Sequence, residues 1–220
     1  MFVAIVPAFN ESKIIGSVVQ SLFSHVDKVI VVDDGSKDLT EAEARQAGAT
    51  ILSHKINRGQ GASLQTGHDY ALDLGADYVL HFDGDGQFDT ADIKPAFEKL
   101  KNSGADILFG SRFLDNRTKI PWLKKYILFP PAKLFNKIFG GVNLTDIHNG
   151  FRILSRRALE ELKIEQDRMA HATEIPAKAK RLGLKYIEFP VKVTYHRYGG
   201  GLKHGLGVVN DLLLGVFLKK

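Results

Sequence analysis

The sequence predicts a single α/β domain, a mainly parallel sheet with helices on both faces. Three observations point there. Short apolar runs rich in β-branched residues alternate with segments of helical periodicity through the first half of the chain. Polar motifs follow four of those runs, and in such sheets ligands sit at the carboxyl ends of the strands. The 220 residues, 44% of them apolar, are enough for one sizeable core.

The elements follow in order. "FVAIV" (residues 2–6) reads as a buried strand. Residues 11–23 carry Ile14, Ile15, Val18, Val19, Leu22 and Phe23 at helical spacing. "KVIVV" (28–32) is a second strand, and 40–47 a helix stopped by Gly48. "TILSH" (50–54) is a third strand. A helix runs from "NRGQG" to Leu74, with Gly75 as its stop. "YVLHF" (78–82) is strand four, 90–101 a helix, and "DILFG" (106–110) strand five. The second half is less regular. "GFRIL" (150–154) reads as a strand, 156–162 and 172–182 as helices, and "KYIEFPVKVTYH" as one or two short strands. "GLKHGLGVVNDLLLGVFLKK" closes the chain as an apolar helix with lysines at both ends.

Composition excludes several classes. There is no cysteine, so disulfides, thiolate metal sites and a cysteine nucleophile are ruled out. "MFVAIVPAFNE" lacks a basic n-region and a cleavage site and reads as a strand, not a signal peptide. No apolar run approaches the roughly 20 residues of a membrane-spanning helix. The net charge of +5 is concentrated: residues 112–137 hold seven basic residues against one acidic residue. A basic patch beside an acidic site suggests an anionic partner: nucleic acid, a phosphorylated substrate or a membrane surface.

The acidic site is "HFDGDGQFD". Asp83 and Asp85 fall on a tight turn after strand four, with Gly84 and Gly86 letting the backbone fold closely. Carboxylates this close repel one another, so a positive charge is expected among them. Hard oxygen ligands suit Mg2+ or Mn2+ better than zinc, and Gln87 adds a neutral oxygen. The stretch is not an EF-hand: the sixth loop position is Phe88 where glycine is needed, and the twelfth is Lys94 where glutamate is needed.

Taken in order and at their spacing, "VPAFNE", "VVDDGS", "NRGQGAS", "DGDGQ", "GSR" and "HNGFR" resemble the family 2 glycosyltransferases. The likeness is closest to the polyprenyl-phosphate glycosyltransferases, which include dolichol-phosphate mannose and glucose synthases. It implies a GT-A fold, a Rossmann-like sheet, with a catalytic domain over residues 1–200 and an interfacial helix over 201–220. It implies that Pro7, Ala8, Asn10 and Glu11 wall a nucleotide pocket. Asp34 would meet the base, with Asp33 supporting it or touching the ribose, beside Gly35. A cap on the turn "DDGS" is the alternative role for Asp33. Asp83, Asp85 and Gln87 look like ligands of a divalent cation on the donor diphosphate, with Gly84 in the same loop. Arg112 looks like a phosphate or sugar contact, although pairing with Asp106 or Asp115 is an alternative. Arg197 and Lys203, in "YHRYGGGLKHG", would reach a diphosphate or an acceptor phosphate.

The implied reaction moves one sugar, with inversion, from a UDP- or GDP-sugar to polyprenyl phosphate. A lipid phosphate is already ionised near neutral pH and attacks directly. The runner-up acceptor is a saccharide hydroxyl, which needs a base, and Asp146 in "TDIHNGFR" or Glu174 in "HATEIPAK" are the candidates. A nucleotide-sugar-binding or membrane-scaffold protein with a degenerate site is the non-enzymatic alternative. Residues 119–139 interleave Trp122, Tyr126, Phe129, Phe135 and Phe139 with Lys124, Lys125, Lys133 and Lys137. That composition suits a surface of anionic lipid, and no nucleic-acid motif accompanies it. The expected location is cytoplasmic, peripheral on the inner face of a membrane. Several relatives of this kind carry C-terminal membrane spans. Direct lipid contact, a separate membrane-anchor protein and a span outside this sequence therefore all remain open.

Overall fold

The computed structural model describes residues 1–118 and 142–195. Seven strands form one sheet, in the order β3-β2-β1-β4-β6-β5-β7. They are β1 (Phe2–Ala8), β2 (Lys28–Asp33), β3 (Thr50–Ser53), β4 (Tyr78–His81), β5 (Ile107–Ser111), β6 (Arg152–Ser155) and β7 (Tyr186–Pro190). β1 pairs in parallel with β2 and β4, β2 with β3, and β5 with β7. β6 runs against both its neighbours, β4 and β5. The expected α/β architecture, a mainly parallel sheet in a single domain, is therefore present.

Six helices flank the sheet among the described residues: α1 (Ile15–Leu22), α2 (Thr40–Gln46), α3 (Gln60–Asp73), α4 (Ile93–Ser103), α5 (Arg156–Glu161) and α6 (His171–Arg181). β1 shows why both faces are covered. Ala4 and Val6 point into one core with Val18, Val19 and Leu22 of α1 and Ile93, Ala96 and Leu100 of α4. Val3 and Ile5 point into the other, with Leu64 and Ala71 of α3, Leu159 of α5 and Ile175 of α6. A strand buried on both sides reads as a continuous apolar run, which is what "FVAIV" is.

Two boundaries differ from the periodicity. α1 begins at Ile15 rather than residue 11, because Asn10, Glu11 and Ser12 donate their backbone N–H groups to Ser36, Thr40 and Asp38. α4 is preceded by a 3-10 turn, Thr90–Asp92, capped by the Asp89 carboxylate, which accepts from Ala91 N at 3.1 Å. The strand order reverses between β1 and β4, so the loops leaving their carboxyl ends open a crevice.

Candidate active site

β4 delivers the acidic loop to that crevice. His81 stands opposite Ile5 of β1, and Phe82 N donates to Ile5 O at 3.1 Å, so Asp83 emerges at the rim. Asp85 turns the loop by accepting from Gln87 N at 3.0 Å. The far side is held by Thr194 N donating to Gln87 O at 2.8 Å and by Phe88 packing on Phe82 and Phe151. Asp83 Oδ1 accepts from Gln60 Nε2 at the start of α3, at 2.7 Å. Its other side meets the backbone of Gly150, where a Cβ would lie 2.2 Å from Oδ2.

Burial and the neighbouring Asp85 push the Asp83 carboxyl up to about 6, against the pull of Arg152, Gln60 and Arg112. Arg152 brings a positive charge of the chain's own to the vicinity of Asp83. It lies on β6 opposite His81 and is 1% exposed. Burial lowers it to about 10, while Asp83 and Asp146 hold it up. Beneath it His68 and His81 are buried with their Nε2 atoms 2.6 Å apart, so one ring donates and the other accepts. Burial brings His68 down to about 4 and His81 well below the usual imidazole value.

The residues expected to bind a nucleotide form the other wall. Pro7 and Ala8 end β1, and Gly84 packs against Pro7, where a Cβ would be 3.1 Å from the carbonyl oxygen. Asn10 has a positive φ of 57°, and its Oδ1 accepts from Lys37 N at 2.9 Å. Glu11 is raised by burial and by Asp85 and Asp38, which places it toward the acidic loop. Asp33 caps its turn by accepting from Ser36 N at 3.2 Å and from the Ser36 hydroxyl. Asp34 is 3% exposed and folds the "NRGQG" loop onto the sheet. It accepts from Arg58 N (2.9 Å) and Gly59 N (2.6 Å), and its Oδ1 lies 2.7 Å from His54 Nδ1. Gly35 has φ 76°, and a side chain there would meet the Ile56 backbone at 2.8 Å.

The third wall begins at Arg112, just past β5. Its pairing is neither of the expected alternatives. Asp115 is taken by Arg117, and Asp106 by Lys185 N and Arg157. Arg112 grips Asp146 instead, with Nε to Oδ2 at 2.7 Å, Nη2 to Oδ1 at 2.6 Å and its backbone N to Oδ2 at 3.0 Å. Nη1 donates to the Tyr195 hydroxyl at 3.0 Å. Although burial opposes it, the bonds to Asp146 raise the Arg112 pKa, so this cation is permanent. Glu174 is engaged elsewhere. It accepts from Glu165 N and Gln166 N and pairs with Lys178 at 2.7 Å. Arg197, Lys203 and the aromatic-basic stretch 119–139 lie outside the described residues.

The donor set fits a hard divalent cation that is completed by a substrate. Two carboxylates stand close enough to raise Asp83, and among the described residues no three His, Asp or Glu side chains converge to hold a metal unaided. Mg2+ in such surroundings keeps waters and takes phosphate oxygens. Gln87 lines an adjoining cleft with Ile14, Ser17 and Thr194.

Residues 3–163 match the model of glycosyl transferase family 2. The chain belongs to that family. It is 34% identical over 209 residues to an uncharacterised protein of Methanocaldococcus jannaschii, covering 93% of this chain and 85% of that protein. It is 32% identical to the UDP-N-acetylglucosamine--dolichyl-phosphate N-acetylglucosaminyltransferase of Methanococcus voltae, over 88% of this chain and 86% of the relative. An undecaprenyl-phosphate mannosyltransferase of Micrococcus luteus is 26% identical, over 96% and 90%. In fold it resembles glucosyl-3-phosphoglycerate synthase of Mycobacterium tuberculosis, solved with Mg2+ and UDP. The TM-score is 0.74 at 20% identity, covering 97% of this chain and 78% of that one. The glycosyltransferase is accordingly an enzyme of the hexosyltransferase kind. Composition alone did not single out Arg152, Gln60, His68 or His81. Arg152 carried the clearest signal, a charge inside the apolar run "GFRIL".

Proposed function

We propose that this glycosyltransferase moves a sugar, with inversion, from a nucleotide donor, UDP-linked in preference to GDP-linked, to a polyprenyl phosphate. The observation that carries the acceptor assignment is the state of the two candidate bases. Asp146 is saturated by Arg112 and Asn149, and Glu174 by two backbone N–H groups and Lys178. A hydroxyl acceptor needs a carboxylate at liberty to take its proton, whereas a phosphate monoester arrives ionised. The relatives named for dolichyl and undecaprenyl phosphate support the same reading.

Each wall then has a task. The loops at Asn10, Glu11, Asp33 and Asp34 shape the nucleotide side. Asp83 and Asp85, with Gln87, would hold Mg2+ or Mn2+. When bound, that ion supplies Lewis-acid stabilisation of the negative charge on the departing diphosphate. Arg112, oriented by Asp146, presents a fixed guanidinium to a phosphate or to the sugar. Asp146 is thus a positioning residue in this reading. Arg197 and Lys203 are assigned to the phosphates from sequence alone. Among the described residues no helix is long and apolar enough to cross a membrane. We assign membrane contact to the basic-aromatic stretch 119–139, on composition, with the enzyme peripheral on the cytoplasmic face.

The test is incubation with Mn2+, labelled UDP- and GDP-sugars and undecaprenyl or dolichyl phosphate. A solvent-extractable labelled lipid is expected, abolished by Asp83→Asn with Asp85→Asn. Transfer to soluble saccharides but to no lipid phosphate would overturn the assignment.

A further inference from the structure

His148 occupies the middle of the loop that joins two walls of the site. Two residues before it, Asp146 holds the Arg112 guanidinium. Two residues after it, Gly150 lies against the Asp83 carboxylate. Asn149 fastens the loop, donating from Nδ2 to Asp146 Oδ2 at 3.2 Å and accepting from Phe151 N at 2.9 Å. The backbone is therefore fixed on both sides of His148, a requirement for a group that reads a ligand. Its own ring is half-buried and makes no hydrogen bond with another described residue. Burial lowers its pKa; Asp146 opposes this, and the Arg112 and Arg152 cations add to it. At neutral pH the ring thus offers one N–H donor and one bare nitrogen acceptor.

The charged groups around it already match charged parts of a substrate. A neutral donor–acceptor pair beside Asp146 and the Arg112 and Arg152 cations, in a loop whose Gly150 touches Asp83, matches the part that is uncharged and rich in hydroxyls. We propose that His148 is a specificity residue that hydrogen-bonds a hydroxyl of the sugar being transferred. This rests on the donor reading given under Proposed function. A site built to bond a hydroxyl discriminates strongly against a donor lacking it, so His148 would help set which sugar is accepted.

The experiment compares His148→Ala and His148→Gln with wild type by calorimetry in Mn2+, titrating the nucleotide sugar and, separately, the nucleoside diphosphate. For His148→Ala the expected result is a roughly tenfold weaker Kd for the nucleotide sugar, with diphosphate binding within about twofold. His148→Gln, which keeps a donor and an acceptor, should recover part of the loss. Donor KM should rise more than kcat falls, and the rate ratio between two epimeric donors should change. Equal weakening of both ligands would overturn the inference, since His148 would then serve the diphosphate. Unchanged binding and unchanged donor preference would overturn it as well. If the wild-type chain binds nucleoside diphosphate but no nucleotide sugar, the donor reading itself falls and takes this inference with it.

Discussion

At Gly150 the missing side chain matters more than most side chains present. Its backbone and the Asp83 carboxylate share one space, and a methyl group there would sit 2.2 Å from Oδ2. Gly150→Ala should push Asp83 aside and slow transfer roughly a hundredfold, since a displacement near 1 Å costs about that much. Circular dichroism should stay native while the Mn2+-induced rise in melting temperature shrinks. Asp83 itself gives a second prediction, for metal-free protein. Its folded pKa of about 6 lies above the ordinary value of 3.8, so the folded state holds the proton more tightly. Stability is then lost as pH rises from about 4 through 6, on the order of 3 kcal/mol at neutral pH. Asp83→Asn should melt higher than wild type at pH 7.5 without metal, with the gap closing near pH 4, and it should be inactive at every pH. Asp83 and Asp85 were legible as a pair because unbroken negative charge after an apolar strand is costly. Gly150's task was not, because a tight backbone approach leaves no mark on composition.

One level up, the loop ahead of β6 touches both Arg112, through Asp146, and Asp83, through Gly150. Asp146→Asn removes the charge that orients the guanidinium and should lower kcat/KM by about 10²-fold. Arg112→Gln should do the same, and the double variant should be little worse than either single one, because the two act as a unit. Additive losses would instead separate their roles. Helix and strand types were readable from periodicity throughout the described chain. The start of α1 was not, because Asn10, Glu11 and Ser12 spend their N–H groups on a loop 26 to 29 residues away. The direction of β6 was also hidden. "FRIL" buries both faces whichever way it runs, and only the register opposite β4 and β5 shows it antiparallel.

The whole molecule carries a set of imidazoles kept neutral by burial. His68 and His171 are held near 4, and His81 and His148 are also lowered. Unfolding releases each to its ordinary value near 6.5, so the unfolded chain binds more protons and stability falls as pH drops from about 6.5 toward 4. Protonation of Asp83 works the other way, but it is one group against several. Thermal melts of metal-free protein should therefore show a falling midpoint between pH 7 and pH 5, with a shallower slope in His171→Gln. Chelation should abolish lipid glycosylation, and Mn2+ with a nucleotide sugar should raise the melting temperature beyond either alone, because ligands that bind only the folded state stabilise by mass action. At this scale the fold class and the family were legible, since an ordered series of loops constrains architecture more than any single loop does. The basic surplus of 112–137 was legible as charge but not as placement.

β6 enters the sheet at the edge where its neighbours leave it. Two stretches some seventy residues apart, one finishing a strand and one about to begin another, therefore come to face each other with no helix between them. Lengthening or rewriting the incoming stretch would reshape the mouth of the catalytic crevice without shifting any helix on its layer. A single reversed strand thus leaves a loop at that crevice free to vary in length and sequence while the scaffold stays as it is.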